Sequence, residues 1–119
     1  MSEGAVVEEG AVVAQVDDIP DGEAIKIDAA VLGTADDVAV FNDGGEFFAL
    51  DDTCSHEKAS LSEGYIEDGV IECPLHAGKF CLRNGEVLSM PASVDVACHR
   101  VIVTGSAIRV VPNPERLAS

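Results

Sequence analysis

Apolar and polar residues alternate with a period of two along most of the chain, which predicts β-strands rather than helices. The clearest case is formed by residues 38–41 and 46–50, which flank the segment Asn42-Asp43-Gly44-Gly45. Glycine, Asn and Asp supply the positive φ angles that tight turns need, so this region is predicted to be a β-hairpin. A strand is also predicted over residues 24–27, and further hairpins around Asp68-Gly69, Asn84-Gly85 and Gly105-Ser106.

Closely spaced hairpins, with no convincing helix of about ten or more residues, are typical of all-β proteins. We therefore predict an antiparallel β-sandwich or barrel. Phe47 and Phe48 are expected to pack on opposite faces of their sheet, because successive strand residues point in opposite directions. The tail from Pro112 to Ser119 carries two prolines and is predicted to be a loose end.

Length and composition fit a single globular domain. The chain has 119 residues, of which 47% are hydrophobic, and this is enough apolar material to fold. Seven Lys and Arg stand against 22 Asp and Glu, which gives a net charge of −15 at pH 7. Such a surface repels nucleic acid and anionic lipid, so neither nucleic acid nor a membrane is expected as a partner.

The acidic charge is concentrated in the first part of the chain. Residues 1–72 hold 19 acidic and 2 basic side chains, whereas residues 73–119 hold 3 acidic and 5 basic ones. One interpretation is an acidic coat that keeps a small protein in solution. Another is electrostatic steering toward a basic docking site on a partner. The two interpretations are compatible, and both stay open.

The expected location is the cytoplasm. The first ten residues are acidic from Glu3 onward and lack the positive region of a signal peptide. No apolar run approaches the roughly 20 residues that cross a bilayer. The four cysteines are therefore expected to be thiols or metal ligands rather than disulfide partners.

Two segments that fit no strand, residues 51–62 and 73–78, both contain Cys and His. The first reads Cys54-Ser55-His56 and the second Cys73-Pro74-Leu75-His76, with sixteen residues between His56 and Cys73. Two thiolates and two imidazoles, arriving as one pair on each loop, fit a tetrahedral zinc ion or a two-iron, two-sulfide cluster.

The spacing favours the cluster over zinc. Zinc knuckles separate their ligands by two to four residues, and the Cys54-x-His56 pair is tighter than that. A two-iron cluster is longer than a single ion, so each loop can give a Cys to one iron and a His to the other. That division is the Rieske type of ligation. A zinc-stabilised binding module without a redox role stays the alternative.

The chain resembles the Rieske-type ferredoxins that supply electrons to bacterial aromatic-ring-hydroxylating dioxygenases, and the likeness covers nearly its whole length. Residues 73–87, CPLHAGKFCLRNGEV, resemble the second cluster loop and following hairpin of biphenyl-type members. Residues 61–65, LSEGY, resemble the stretch after their first loop, and Met90-Pro91-Ala92 resembles the proline loop that covers their cluster.

This resemblance implies a fold and a set of ligands. The fold would be a Rieske fold within one domain, residues 1–119. An antiparallel β-sandwich basal part would span about 1–45 and 83–119, and an inserted cluster-binding β subdomain about 46–82. By the likeness, one [2Fe-2S] cluster per chain is bound through two pairs of residues. The inner iron is bound by Cys54 and Cys73, and the outer iron, near the surface, by His56 and His76.

The resemblance also implies a role as an electron carrier rather than an enzyme. A monomer would accept one electron from an NAD(P)H-dependent flavoprotein reductase and deliver it to the terminal oxygenase. Biphenyl, toluene and carbazole systems are suggested, with carbazole favoured. The oxygenase itself is excluded, since only His99 remains once two histidines bind the cluster. The small subunit of a nitrite reductase is disfavoured, because that related fold often lacks the ligands.

Departures from the respiratory branch of Rieske proteins predict a low reduction potential. That branch has an extra Cys in each loop, and a disulfide joins the two. The corresponding positions in this chain look like Ala59 and Leu75, so that disulfide cannot form. It also places hydroxyl donors at positions that resemble Gly78 and Phe80. Donors to cluster sulfur raise the potential. Without them, and with Glu57 and Glu72 close in sequence, we expect roughly −150 mV.

The remaining candidates have plain structural interpretations. His99 is expected to be a surface or a satisfied core residue, and Cys81 and Cys98 to be small buried apolar side chains. Three basic residues lie near the loops and are expected either to contact a partner or to be solvated: Lys58, Lys79 and Arg83.

Overall fold

The computed structural model describes residues 10–54, 59–75, 78–89 and 94–118. The ten strands are β1 Ala11–Gln15, β2 Ala24–Ile27, β3 Val38–Asp43, β4 Glu46–Asp51, β5 Tyr65–Glu67, β6 Val70–Glu72, β7 Lys79–Cys81, β8 Val87–Ser89, β9 Cys98–Thr104 and β10 Ala107–Val111. One α-helix, α1 Ala29–Leu32, and three short 3₁₀ turns, Val16–Asp18, Leu61–Glu63 and Pro114–Arg116, complete the described elements.

The strands form two antiparallel sheets. The larger sheet has the order β1-β10-β9-β4-β3-β2, and the smaller has the order β5-β6-β7-β8. All the strand pairs found among the described residues are antiparallel. The predicted all-β antiparallel fold is therefore confirmed.

The predicted hairpins form where the turn residues indicated them. In the β3–β4 hairpin, Gly44 and Gly45 have φ values of 65° and 95°, and Asp43 pairs with Glu46. In the β5–β6 hairpin, Asp68 and Gly69 have φ values of 54° and 78°. Both pairs of angles suit the two-residue turns that match strand twist. The strand over 24–27 and the hairpins β7–β8 and β9–β10 are present as predicted.

Strand β3 is buried on both faces and separates two cores. Val38 and Val40 pack into a basal core with strands β1 and β10, whereas Ala39 and Phe41 pack on the opposite face. That opposite face meets residues of the smaller sheet, and we call the resulting cluster the shared core. Full burial of a side chain such as Phe41 contributes about 1.5–3 kcal/mol. The shared core consists of Ala39, Phe41, Leu50, Cys54, Ala59, Leu61, Ile71, Cys73, Phe80, Leu82 and Val96.

Consecutive aromatic residues in β4 follow the same alternation. Phe47 packs against the basal core and Phe48 against the shared core. The prediction that these two side chains pack on opposite faces is confirmed. The shared core therefore connects the two sheets through the outer face of β3 and β4.

The division into a basal part and a cluster-binding subdomain stays a proposal. Strand β4, Glu46–Asp51, pairs with β3 and β9 in the larger sheet, and β8, Val87–Ser89, pairs with β7 in the smaller sheet. If the division follows the sheets, the smaller part begins after Asp51 and extends to Ser89 rather than spanning 46–82.

The prediction of a loose C-terminal tail is wrong for the residues that the structure describes. Leu117 forms a β-bridge with Thr34, and the carbonyl of Arg116 accepts a hydrogen bond of 2.7 Å from the Ala35 N–H. The Ala118 N–H donates to the Gly33 carbonyl at 2.8 Å. The prolines do not prevent this, because Pro114 begins a 3₁₀ turn, where its missing N–H costs nothing.

Helix is scarce in the described ranges. Helix α1 has four residues; the Asp28 side chain accepts a hydrogen bond from the Ala30 N–H, and Gly33, with φ 72°, ends the helix. No helix among the described residues is long and apolar enough to cross a membrane.

Candidate metal centre

Two of the four predicted ligands, Cys54 and Cys73, lie in the described part of the chain and belong to the same core. Their relative exposures are 3% and 1%, and both are members of the shared core. All four cysteines lie among the described residues, and no disulfide joins any of them. The structure therefore brings both predicted thiols into one buried, largely apolar environment.

Each cysteine begins a loop that is closed by the same backbone hydrogen bond. We call residues 54–59 the first loop and residues 73–78 the second loop. The Cys54 N–H donates to the Ala59 carbonyl at 2.9 Å, and the Cys73 N–H donates to the Gly78 carbonyl at 2.8 Å. In both loops the bond joins residues five positions apart. Each loop therefore has a buried cysteine at its base and a backbone hydrogen bond that closes it.

The strand pairing places both loops at one end of the smaller sheet. Tyr65 at the start of β5 pairs with Glu72 at the end of β6, and Glu72 pairs with Lys79 at the start of β7. The chain enters β5 soon after the first loop, and the second loop joins β6 to β7. The segment that returns from the first loop and the two ends of the second loop therefore meet at the same row of paired residues.

A glycine allows the close approach that keeps the loops together. Gly64 ends the 3₁₀ turn after the first loop, and a Cβ there would lie 2.1 Å from the carbonyl oxygen of Glu72. Glu72 directly precedes Cys73. Any other residue at position 64 would push these two backbones apart. The LSEGY motif thus has a packing reason for its glycine.

The described residues do not include the two predicted histidines. His56 and His76 lie outside the described residues, as do Glu57, Lys58 and the segment 90–92. Within the described ranges, no group of three or more His, Cys, Asp or Glu side chains is arranged to hold a metal ion. The structure therefore bears on the two thiols, and the full ligand set stays a prediction. Two buried thiols on adjacent loops fit the cysteine half of a Rieske site.

A carboxylate outside the predicted set holds the entry to the first loop. Thr53, which precedes Cys54, donates from its backbone N–H and its hydroxyl to the carboxylate of Asp36, both at 3.0 Å. Asp36 lies in the connection before β3. Sequence reasoning missed this contact because the two residues are seventeen positions apart and carry no shared motif.

A buried polar network lies beside the strand that leads to the first loop. The Asn113 N–H donates to His99 Nδ1 at 2.9 Å, so Nε2 carries the hydrogen and donates to Asp51 Oδ1 at 2.8 Å. Arg116 Nε donates to the other carboxylate oxygen of Asp51 at 2.6 Å. The prediction that His99 is a satisfied core residue is confirmed. This network also connects the C-terminal tail to β4.

The positions that distinguish the respiratory branch carry neither thiol nor hydroxyl. Ala59 and Phe80 are buried in the shared core, Gly78 is buried, and Leu75 is 61% exposed. Gly78 and Phe80 therefore offer no side-chain hydroxyl to a cluster. The structure also leaves a large apolar side chain exposed in the second loop.

The other candidates have structural roles in the described part of the chain. Cys81 and Cys98 are partly rather than fully buried, and Cys98 packs against the shared core. Lys79 is exposed, and Arg83 lies 5.5 Å from the ring centre of Phe48. For Lys79 and Arg83, the choice between a partner contact and solvation stays a prediction.

Comparison with known protein families adds an independent line of support. The Rieske [2Fe-2S] domain family matches residues 9–100, which include both loops. That range covers more than three quarters of the chain, and it includes all four predicted ligands.

Individual relatives agree with this match. The "3-phenylpropionate/cinnamic acid dioxygenase ferredoxin subunit" of Shigella boydii serotype 4 (strain Sb227) is 50% identical over 94 residues, which is 78% of this chain and 84% of that protein. The ferredoxin of carbazole 1,9a-dioxygenase from Nocardioides aromaticivorans IC177 is 35% identical with a TM-score of 0.78, covering 87% of this chain and 97% of that one. A chain from the complex of reduced oxygenase and oxidized ferredoxin in carbazole 1,9a-dioxygenase is 33% identical, with a TM-score of 0.78. The match covers 87% of this chain and 93% of that one.

Proposed function

Because this chain belongs to the Rieske [2Fe-2S] domain family, we propose that it is the ferredoxin component of an aromatic-ring dioxygenase system. The observation that carries this is its 50% identity to a dioxygenase ferredoxin subunit over most of both chains. The relatives are named ferredoxin subunits, so the chain is an electron-transfer component rather than a catalyst. The buried cysteine pair supports the same role.

We assign the cluster to Cys54, His56, Cys73 and His76. When bound, the [2Fe-2S] cluster takes up and releases one electron, with a potential above that of all-cysteine plant-type ferredoxins. The chain contributes burial of the two thiols in the shared core, which excludes water from that side. It also contributes the backbone bonds that close the two loops, which hold each cysteine at a fixed place.

The third histidine is not available for a second metal. His99 is buried and uses both ring nitrogens, one with Asp51 and one with Asn113. A mononuclear iron site of the oxygenase type needs two histidines and a carboxylate. With three histidines in the sequence, and two assigned to the cluster, this chain has too few for such a site.

The proposed partners are a terminal oxygenase, as electron acceptor, and an NAD(P)H-dependent flavoprotein reductase, as electron donor. The structural similarity to a ferredoxin in complex with its oxygenase supports the first. We propose that docking uses the end of the molecule that carries both loops. The exposed Leu75 beside the predicted ligand His76 supports this, because an apolar side chain in contact with water gains from burial in an interface.

The relatives named above serve systems with different aromatic substrates, 3-phenylpropionate or cinnamic acid in one and carbazole in another. A ferredoxin does not bind the aromatic substrate, so we propose the role without a substrate, and the preference for carbazole stays a prediction. We also propose a cytoplasmic location. Four cysteines without a disulfide support a reducing compartment.

The proposal is tested by electron paramagnetic resonance (EPR) of the purified protein after anaerobic reduction. Mixed Cys and His ligation predicts a signal whose average g value lies well below that of all-cysteine two-iron clusters. His56→Ala and His76→Ala should each abolish this signal, because each removes a ligand of the outer iron. The matched control is His99→Gln, which changes the remaining histidine and should keep the signal. A colourless protein that contains zinc would instead indicate a structural metal module.

A further inference from the structure

Two consecutive aspartates lie just before the first loop, and both are buried. Asp51 is 6% exposed and Asp52 is 4% exposed. A buried carboxylate is costly unless other groups replace its lost hydration. Asp51 receives hydrogen bonds from His99 and Arg116. Among the described residues, the hydrogen bonds to the carboxylate of Asp52 come from uncharged groups instead, a hydroxyl and a backbone N–H.

In the part of the chain that the structure describes, two groups donate to the Asp52 carboxylate, and both lie where the chain returns from the first loop. Ser60 Oγ donates to Asp52 Oδ2 at 2.6 Å, and the Ser62 N–H donates to Asp52 Oδ1 at 3.0 Å. The Leu61 N–H donates to the Asp52 carbonyl at 2.7 Å. Three successive residues after the loop are thus bound to this one aspartate.

Asp52 itself is anchored to the larger sheet. Its N–H donates to the carbonyl of Asp37 at 2.8 Å, and Asp37 directly precedes β3. Beyond Asp52, the loop is closed by the bond from the Cys54 N–H to the Ala59 carbonyl. The first loop therefore leaves from and returns to a fixed point, and Cys54 lies two residues from that point.

On the basis of the proposed function, we propose that Asp52 is a positioning residue for the cluster. Its carboxylate holds the return of the chain after the first loop, and thereby fixes the base of the loop that begins at Cys54 and whose sequence includes the predicted ligand His56. Groups that orient metal ligands from outside tune affinity and potential as the ligands do. The buried negative charge adds a second effect, because it disfavours the more negative, reduced state and so lowers the potential.

Two substitutions separate these effects. Asp52→Ala removes both hydrogen bonds and the charge. Asp52→Asn keeps an oxygen acceptor for the Ser62 N–H, and its amide can donate to the Ser60 hydroxyl, so it removes the charge while the loop stays held. We expect Asp52→Ala to lose iron to a chelator about tenfold faster than the wild type, with altered EPR g values. Asp52→Asn should keep the g values and show a more positive potential.

The matched controls are Asp43→Ala and Asp43→Asn. Asp43 is half-buried, and its carboxylate accepts a hydrogen bond from the Gly69 N–H at 2.5 Å. This contact lies at the β5–β6 turn, at the opposite end of the smaller sheet from both loops. Loss of a carboxylate contact there should lower the thermal stability of the protein but leave iron release, g values and potential as in the wild type.

The outcomes are distinct. If both Asp52 variants keep the wild-type iron release, g values and potential, Asp52 serves folding only and the proposal is wrong. If Asp52→Ala does not fold, Ser60→Ala decides, because it removes the hydroxyl that donates to Asp52 Oδ2 and keeps the charge: faster iron release supports the positioning role, and an unchanged rate overturns it. The potential of Asp52→Asn decides the charge effect alone. A wild-type protein without a mixed-ligand EPR signal would overturn the proposed function itself, before any variant is compared.

Discussion

At the scale of single residues, local spacing was informative and long-range pairing was not. Cys54 and Cys73 were identified from their distance to a histidine, and the structure buries both in one core. No motif indicates that Asp51 and Asp52 are buried, because an aspartate is usually exposed and the burial of these two depends on residues that the fold brings to them. The contacts of Asp51 with His99 and Arg116 join positions 48 and 65 residues apart.

The low potential expected from the sequence is a prediction about individual side chains near the loops. Gly78 and Phe80 provide no hydroxyl, and Phe80 is fully buried. The hydroxyls of Thr53 and Ser60 already donate to the carboxylates of Asp36 and Asp52. Since donors to cluster sulfur raise the potential, we expect a redox titration to give about −150 mV. A clearly positive potential would contradict this argument.

At the scale of elements, turns were predictable and pairing partners were not. The β3–β4 and β5–β6 hairpins could be predicted because the positive φ angles at Gly44, Gly45, Asp68 and Gly69 follow from residue type. The order of the C-terminal tail is not predictable from its sequence, for the opposite reason. Its order comes from backbone bonds to the β2–β3 connection, and nothing in the proline-containing segment indicates that partner.

Gly64 provides a test of how these elements bring the loops together. Gly64→Ala would place a Cβ 2.1 Å from the Glu72 carbonyl, so the segment after the first loop must move away from β6. We expect the free energy of unfolding to fall by about 1–3 kcal/mol, measured by denaturant titration. The control is Gly44→Asn, because Gly44 has open space around it and Asn tolerates its φ of 65°. Equal stability of both variants would rule out the proposed steric role.

At the scale of the whole molecule, the fold turns one chain into two sheets with different tasks. The larger sheet buries the basal core and leads through β4 into the first loop, and the smaller sheet carries the second loop between β6 and β7. Burial in the shared core fixes the cysteines from both sheets at once, so the loops depend on the packing of the entire domain. That dependence could not be deduced from the motifs, since the sequence does not state which faces of β3 and β6 meet.

The uneven distribution of charge along the chain leads to a prediction about the whole molecule. With 19 of the 22 acidic residues in positions 1–72, the acidic surface should steer the protein toward a basic site on its reductase. We expect the second-order rate constant for reduction of this protein by its reductase, measured by stopped-flow absorbance, to fall about tenfold from low to high ionic strength.

Matched double variants locate the source of that steering. Glu63→Gln with Asp95→Asn removes two exposed charges near the first loop, because Glu63 lies in the turn after the loop and Asp95 lines one cavity with Cys54. Asp17→Asn with Glu23→Gln removes two exposed charges from elsewhere. If docking uses the end with both loops, the first pair should slow reduction more at low salt, and the difference should vanish at high salt, where charges are screened. Equal rates for both pairs would locate the steering in the net charge alone. A rate independent of salt would mean that the acidic coat serves solubility and not encounter.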